Sequence, residues 1–511
     1  MYTPVKTEHA GTAGAGLSAG RVSGMNELKR LPITEEASPQ VRLRLQIERY
    51  RQSPGYKVVF LTHNLGGGTE HHLHELAELL KAEMDVIVIR PAGNGATKVS
   101  FGIDPYLSPC LDITLPHDYP ALLDLLAYIG ISRVHWHHTM GLDSVLYGLS
   151  RDLGTPMDCT LHDYFLINSN PVQTNSRGEF TPNLREQAPQ YVLPDGHSLP
   201  RWQQEQERFL SGAERIFVPS RFAIDYFSLH YPELKYTLAY HPDWEAEQPY
   251  PSPHSWPLEK GHKLRILVLG AISLEKGAHM LKETARESGR RKLDLEFHLI
   301  GYACQQLGKP VKQHGAYTTD QLPALIMSVQ PHLIWYPAMW PETYSYTLSE
   351  GLKAALPIVA PDIGAFPERL EDRPLTWIQN WKQAPADWCS FFSGLRDNWN
   401  DLHQDFGNSN QYGRKNTEQH FSYASDYLKN TVRVSPSGEG SLDLAWLERL
   451  ASTGDTPSSA NSLANRKERF LRLLLHCLQH PVGARVASFI PVWIQRRIKR
   501  LLSRRPLKDI L

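Results

Sequence analysis

Lys57-Val58-Val59-Phe60-Leu61-Thr62-His63-Asn64-Leu65-Gly66-Gly67-Gly68 opens on an apolar run that reads as a buried strand and closes on three glycines that break it. Leu73, Leu76, Leu79 and Leu80 follow at helical spacing, so strand, glycine turn and helix succeed one another directly. The turn is not GxGxxG, and the dinucleotide fingerprint is therefore missing. Strand-like runs recur at Met84–Ile89, Arg133–His137, Asp158–Leu161 and Arg215–Pro219. That alternation predicts parallel strands with crossover helices, a doubly wound α/β sheet. A Pro-rich break covers 242–257, after which the pattern restarts with Leu264–Leu269, Leu295–Ile300, His332–Tyr336 and Pro357–Ala360. Two α/β domains in tandem create a cleft, and open α/β sheets bind ligands beyond the carboxyl ends of their strands.

The rest of the chain bounds this reading. At roughly 150 residues per domain, 511 residues hold two to four domains. Lys+Arg and Asp+Glu both number 54, which excludes a globally basic nucleic-acid binder. Cys110, Cys159, Cys304, Cys389 and Cys477 form no CxxC pair, so neither a zinc ribbon nor a disulfide framework is expected. This usage fits a reducing, cytoplasmic compartment. No run approaches 18 apolar residues, and the first 40 lack a signal-peptide core. Residues 1–50 read as a flexible extension, 51–245 and 258–433 as the two α/β domains, and 434–462 as a linker rich in Ser, Thr, Gly and Pro. Residues 463–511 carry twelve Lys+Arg against Glu468 and Asp509. There Ile490, Ile494, Ile498 and Leu501 make a helical stripe beside Trp493, with Arg496, Arg497, Lys499 and Arg500 off it. A basic amphipathic helix of this kind suits the anionic inner face of a membrane. A helix packed on the protein with a solvated basic face gives the same pattern.

The segment Trp340-Pro341-Glu342-Thr343-Tyr344-Ser345-Tyr346-Thr347-Leu348-Ser349-Glu350-Gly351 follows a predicted strand. Spacing alone means little, since with 54 acids in 511 residues about six acidic pairs at this spacing arise by chance. Its place means more. Glu342 falls in the loop at a strand's carboxyl end, and Leu348, Leu352 and Ala355 begin an amphipathic helix. The N–H groups of that helix start, around Tyr344 to Thr347, would face the cleft and suit a phosphate. Glu350, further in, could accept hydrogen bonds from a ribose. A solvated acid pair flanking a helix start is the plainer alternative.

Glu342 and Glu350 match the E-x7-E signature of the family-4 retaining glycosyltransferases, which have the GT-B fold of two Rossmann-like domains. The wider text PAMWPETYSYTLSEGLKAALPIVAPDIGAFPERL resembles the branch that assembles bacterial cell-surface polysaccharides, including rhamnans. The resemblance covers roughly 56–375 and is strongest over 264–373. Gly270-Ala271-Ile272-Ser273-Leu274-Glu275-Lys276-Gly277 resembles the family loop whose lysine holds the donor diphosphate, implying that role for Lys276. Ala271 stands where the family usually has arginine, and Ser345 where it usually has glycine. Gly67 and Gly68 resemble the glycine loop that lies close to the donor phosphates and the acceptor. His162, before Asp163, resembles the cleft histidine near the reacting carbon of the sugar. A neutral imidazole can donate to a sugar hydroxyl, and Asp163 could fix its tautomer. Glu368 and Arg369 read as braces for the loop around Gly364.

Two histidine runs, His71-His72-Leu73-His74 and His135-Trp136-His137-His138, offer imidazoles without acidic or thiol partners at ligand spacing, and no HExxH occurs. Acceptor contacts or polar surface are the expected roles, with no metal. The resemblance implies that no cofactor or metal is needed, because Lys276 and a helix end hold the diphosphate. The expectation is a retaining transferase that moves a sugar from a nucleotide-diphosphate donor to a glycan or lipid-linked acceptor. Glu342, His162 and Lys276 would act at the reacting centre. Gly67, Gly68, Lys276, Ser345, Tyr346, Thr347 and Glu350 would bind the donor. Ala271 and Ser345 also support a different class, a degenerate GT-B protein that binds glycan or nucleotide, or a membrane-recruited scaffold.

Overall fold

The computed structural model describes residues 37–453 except 93–94, 105–106, 184–185, 188–192, 194–196, 246–249, 255, 405–420 and 437–442. The basic tail expected over 463–511 lies outside the described residues.

The first sheet runs β15-β4-β3-β2-β1-β5-β6-β7-β8. Its strands are β1 (Tyr56–Leu61), β2 (Met84–Pro91), β3 (Ala96–Phe101), β4 (Pro109–Thr114), β5 (Arg133–Trp136), β6 (Met157–Thr160), β7 (Arg215–Val218) and β8 (Thr237–Leu238), joined at one edge by β15 (Ala451–Thr453). From β2 through β1 to β8 every pairing is parallel, while β3, β4 and β15 add antiparallel strands. The second sheet contains β9 (Leu264–Ile272), β10 (Leu295–Ala303), β11 (Val311–Gln313), β12 (Leu333–Trp335), β13 (Ile358–Pro361) and β14 (Thr376–Gln379). Its order is β11-β10-β9-β12-β13-β14 and all pairs are parallel.

Apolar runs give these strands because both faces are covered. On β1, Val58 and Phe60 pack in one core layer and Val59 and Leu61 in another. On β9, Leu264, Ile266 and Val268 face one layer while Leu267 and Leu269 face the other. Two doubly wound domains facing each other, as expected, are therefore present. Among the described residues no helix is long and apolar enough to cross a membrane.

Three expected limits shift. The extension 1–50 includes a helix, Pro39–Gln52, capped by the Ser38 side chain and anchored through buried Leu43, Ile47 and Tyr50. Residues 421–433, assigned from sequence to the second domain, return to the first. Tyr423 and Tyr427 pack with Val58 and Phe60, and Arg215 donates to the Tyr427 carbonyl at 3.0 Å. The expected linker 434–462 contributes the helix Leu444–Leu450 and β15. Buried Trp446 pins that helix by donating to Asp118 Oδ1 at 3.2 Å.

Candidate active site

Lys276 lies in the turn between β9 and the helix Ala278–Arg291. Gly277 has φ +85°, and a Cβ there would collide with the Pro337 carbonyl oxygen. Only glycine lets this turn close against the loop that follows β12. The closure brings Lys276 Nζ to 3.5 Å from Glu342 Oε1, with the lysine side chain 34% exposed and the glutamate buried. Gly364 wraps the same loop, since its Cβ would lie 2.6 Å from the Glu342 carbonyl oxygen, and Ala365 N–H donates to that oxygen at 2.8 Å.

Ser345 precedes the helix Tyr346–Lys353 with φ +72°, a left-handed conformation that glycine adopts at no cost. Its Oγ is 3.2 Å from Thr347 Oγ1. A Cβ at Gly270 would stand 2.8 Å from Thr347 Cγ2, which sets this helix start at the carboxyl end of β9. Glu350 is paired with Lys353 at 2.9 Å and is 21% exposed.

Arg369 holds this arrangement. Fully buried, it donates from Nη1 to the Tyr344 and Ser345 carbonyls, both at 2.9 Å, and from Nη2 to Ser349 Oγ at 2.8 Å. Its guanidinium lies 3.9 Å from the Tyr344 ring centre. Arg369 thus braces the start of the helix Tyr346–Lys353 rather than the loop around Gly364 where its brace was expected. Glu368 instead reaches the other domain and accepts from Arg221 N–H at 2.7 Å.

The facing side comes from the first domain. Gly67, φ +79°, precedes the helix Gly68–Leu79, and its missing Cβ would meet nothing within 4 Å, so backbone conformation is what favours glycine there. A Cβ on Gly68 would lie 3.6 Å from the Tyr346 ring, so the glycine loop and the second domain's helix start oppose each other. Tyr346, expected at the helix start that would hold phosphate, reaches with its side chain to the first domain. Its hydroxyl donates to Glu75 Oε2 at 2.8 Å and lies 3.1 Å from His241 Nδ1. Only its N–H remains with the helix start.

His162 follows β6, and its carbonyl accepts from Thr343 Oγ1 at 2.6 Å, which ties it to the Glu342 loop. Burial, reinforced by neighbouring His72 and His138, holds its pKa well below the usual histidine range, so the ring is neutral. Asp163 does not orient it. That carboxylate pairs with His138 Nε2 at 3.2 Å and accepts from Phe165 N–H at 2.9 Å. Nor are the histidine runs plain polar surface: His72, His135, His137 and His138 are buried. Sequence reading also missed Tyr164, which donates to the Pro341 carbonyl at 2.9 Å, and the side-chain bond of Tyr344 to Asp243. Neither has a local pattern, because both partners are remote in the chain.

A cation beside a buried carboxylate, a helix start, a glycine loop and a neutral imidazole thus converge between two α/β domains. Residues 66–240 match the family model Glycosyltransferase Family 4. No curated protein matches the sequence. Among solved structures, Anabaena HepE in complex with UDP and glucose is 14% identical, over 68% of this chain and 92% of that one, with a TM-score of 0.42. The pneumococcal O-GlcNAc transferase GtfA in complex with UDP and GlcNAc is 10% identical, over 69% and 95%, with a TM-score of 0.45. The lipopolysaccharide outer core galactosyltransferase WaaB, in its apo form, is 11% identical, over 68% and 95%, with a TM-score of 0.41. The matched segment runs from the glycine loop to just past β8, and a second, all-parallel α/β sheet follows it in the chain: over residues 66–240 this chain is similar to glycosyltransferase family 4.

Proposed function

We propose that this protein is a glycosyltransferase that moves a sugar from a nucleoside diphosphate donor to a glycan or lipid-linked acceptor in cell-surface polysaccharide synthesis, with retention at the anomeric carbon. The observation that carries the reading is the 3.5 Å approach of Lys276 to Glu342 beside the start of the helix Tyr346–Lys353. Lys276 and the Ser345–Thr347 amides hold the diphosphate without a bridging metal, and Glu350 binds ribose. Glu342 and His162 hold the sugar, and Gly67 and Gly68 line the mouth of the cleft. The bond from the anomeric carbon to phosphate oxygen breaks as the acceptor oxygen bonds to that carbon on the same face. The acceptor proton passes to the departing phosphate oxygen, so no protein nucleophile is needed. Closed domains keep out water that would otherwise hydrolyse the donor. The chain works at the cytoplasmic face, with residues 463–511 on anionic lipid.

Two observations favour a second reading, a protein that binds nucleotide or glycan without turnover. Ser345 holds a strained backbone where the family has glycine, and Ala271 is exposed where the family has a cation. The test is thermal stabilisation by UDP, GDP, dTDP and ADP, on the wild type and on Lys276→Ala. One diphosphate is expected to raise Tm, as about 2.7 kcal/mol of stabilisation at one hundred times Kd, with the shift lost in the variant. No shift with any nucleotide would overturn the donor site, and binding without sugar transfer would favour the second reading.

A further inference from the structure

His72, His137 and His162 come from three separate elements. His72 sits in the helix Gly68–Leu79, and His137 and His162 follow the neighbouring parallel strands β5 and β6. One ring nitrogen from each lies within 4.8 Å of those of the other two. His72 Nε2 and His137 Nε2 are buried without a hydrogen-bond partner, a costly state unless something binds there. The opposite edges of these rings are occupied. His72 Nδ1 is 2.6 Å from His241 Nδ1, and His137 Nδ1 is 3.3 Å from His162 Nε2. Behind them His135 stacks on His137 with ring centres 4.0 Å apart, itself fixed by Tyr427 and Thr160, each at 2.8 Å.

We propose that His72, His137 and His162 form a binding site for a borderline divalent transition ion, Zn²⁺ in the first instance. Neutral imidazoles are the form a metal requires, and burial keeps all three neutral, with His72 pushed down to about 3. An all-nitrogen set without a carboxylate selects Zn²⁺, Co²⁺ or Ni²⁺ over Mg²⁺ or Ca²⁺. Zn–N bonds of about 2.1 Å place tetrahedral ligand nitrogens about 3.4 Å apart, so modest ring rotations close the set. The outer contacts to His241 and within the pair fix ring orientation in the manner of supporting partners around bound metals. Three protein ligands leave a fourth position for water or a hydroxyl. The ion is held by first-domain residues alone and has no part in holding the diphosphate, but His162 is shared with the proposed sugar contact, so metal binding is read separately from donor binding in the test. The two histidine runs hid this site because each run supplies only one ligand, and the third comes from His162.

The test uses the full chain stripped with a chelator. Titration with Co²⁺ is expected to give one equivalent with the visible spectrum of a tetrahedral site, displaced by Zn²⁺, and Zn²⁺ is expected to raise Tm. His72→Gln and His137→Gln should each weaken binding at least about 100-fold, while the double variant of the more exposed His71 and His74, both to Gln, should retain it. Zn K-edge absorption of the loaded wild type, which needs no variant to fold, should show nitrogen and oxygen neighbours with imidazole scattering. Sub-stoichiometric binding, binding unchanged in both buried variants, sulfur in the first shell, or loss only in the His71 and His74 variant would each overturn the site. A water bridging the three rings predicts the first of these.

Discussion

Lys276 and Glu342 lie 66 positions apart by their numbers and meet because two glycines allow it. Gly277 admits the Pro337 carbonyl and Gly364 admits the Glu342 backbone, so charge placement here is a consequence of missing Cβ atoms. Lys276→Met is expected to lower kcat/KM for the donor by about 10²–10³, the usual cost of removing one group that stabilises developing charge. Equal turnover in wild type and variant would remove Lys276 from the site. Gly351 presents a purely steric case in the same helix, because a Cβ there would collide with the Tyr336 hydroxyl, which donates to the Thr347 carbonyl at 2.7 Å. Gly351→Ala is expected to destabilise by about 1–3 kcal/mol. In a Tyr336→Phe background part of that loss should return, since the colliding oxygen is gone and alanine favours the helix. Thermal melts of the two singles and the double read the coupling directly, and simple additivity would refute the clash.

At the scale of elements, the helix Tyr346–Lys353 begins where Arg369 forces it to begin. One buried guanidinium serves two carbonyls and the Ser349 hydroxyl, and so holds Ser345 in its left-handed backbone. Arg369→Met should cost about 2–4 kcal/mol through orphaned acceptors. Arg369→Lys should not rescue it, because an ammonium cannot reproduce the planar fork. Donor KM should rise in both variants, and an unchanged KM with lowered Tm would confine Arg369 to stability. Sequence made the E-x7-E loop and the Lys276 turn legible because each has a local pattern at a strand end. Arg369 has none, and its role as a brace rested on position alone. The parallel strands were legible as continuous apolar runs. Ala96–Phe101 and Pro109–Thr114 were not, being short strands with polar residues interleaved, as at Thr97, Lys98 and Asp112. β15 was hidden by the Ser- and Gly-rich composition around it, and its pairing with β4 is set by Trp446 and Leu447 packing into the first domain's core. The domain limits failed at 421–433 for a related reason. Composition shows where chain is foldable, and Tyr423 and Tyr427 show only in three dimensions which core they enter.

At the scale of the molecule, two sets of titrating groups pull stability in opposite directions. Burial pushes His63 down to about 4 and His72 to about 3. The unfolded chain therefore binds protons below about pH 6.5 that the native state refuses, so this stability is present above pH 6.5 and is lost as pH falls towards 3, by about 1.4 kcal/mol per pH unit per histidine. Glu368 does the reverse. Its carboxylate crosses between domains to the first N–H of the helix Arg221–His230. Burial raises its pKa to about 7, against the opposing pull of the Arg221 N–H and the Tyr240 hydroxyl. Between about pH 4.5 and 7 the native state holds this proton more tightly than the unfolded chain does, so its contribution is full below pH 4.5 and is lost as pH rises through 7. Glu368→Gln isolates this effect, because the histidines titrate identically in both proteins. The variant should match the wild type at the acid end and exceed it by about 1–3 kcal/mol above pH 7, read from denaturant melts at matched ionic strength. Parallel wild-type and variant curves from pH 5 to 8 would mean that the carboxylate is hydrated and the inter-domain contact open. A gap that widens with pH would make this contact a latch that loosens the two domains just where the buried histidines are most secure.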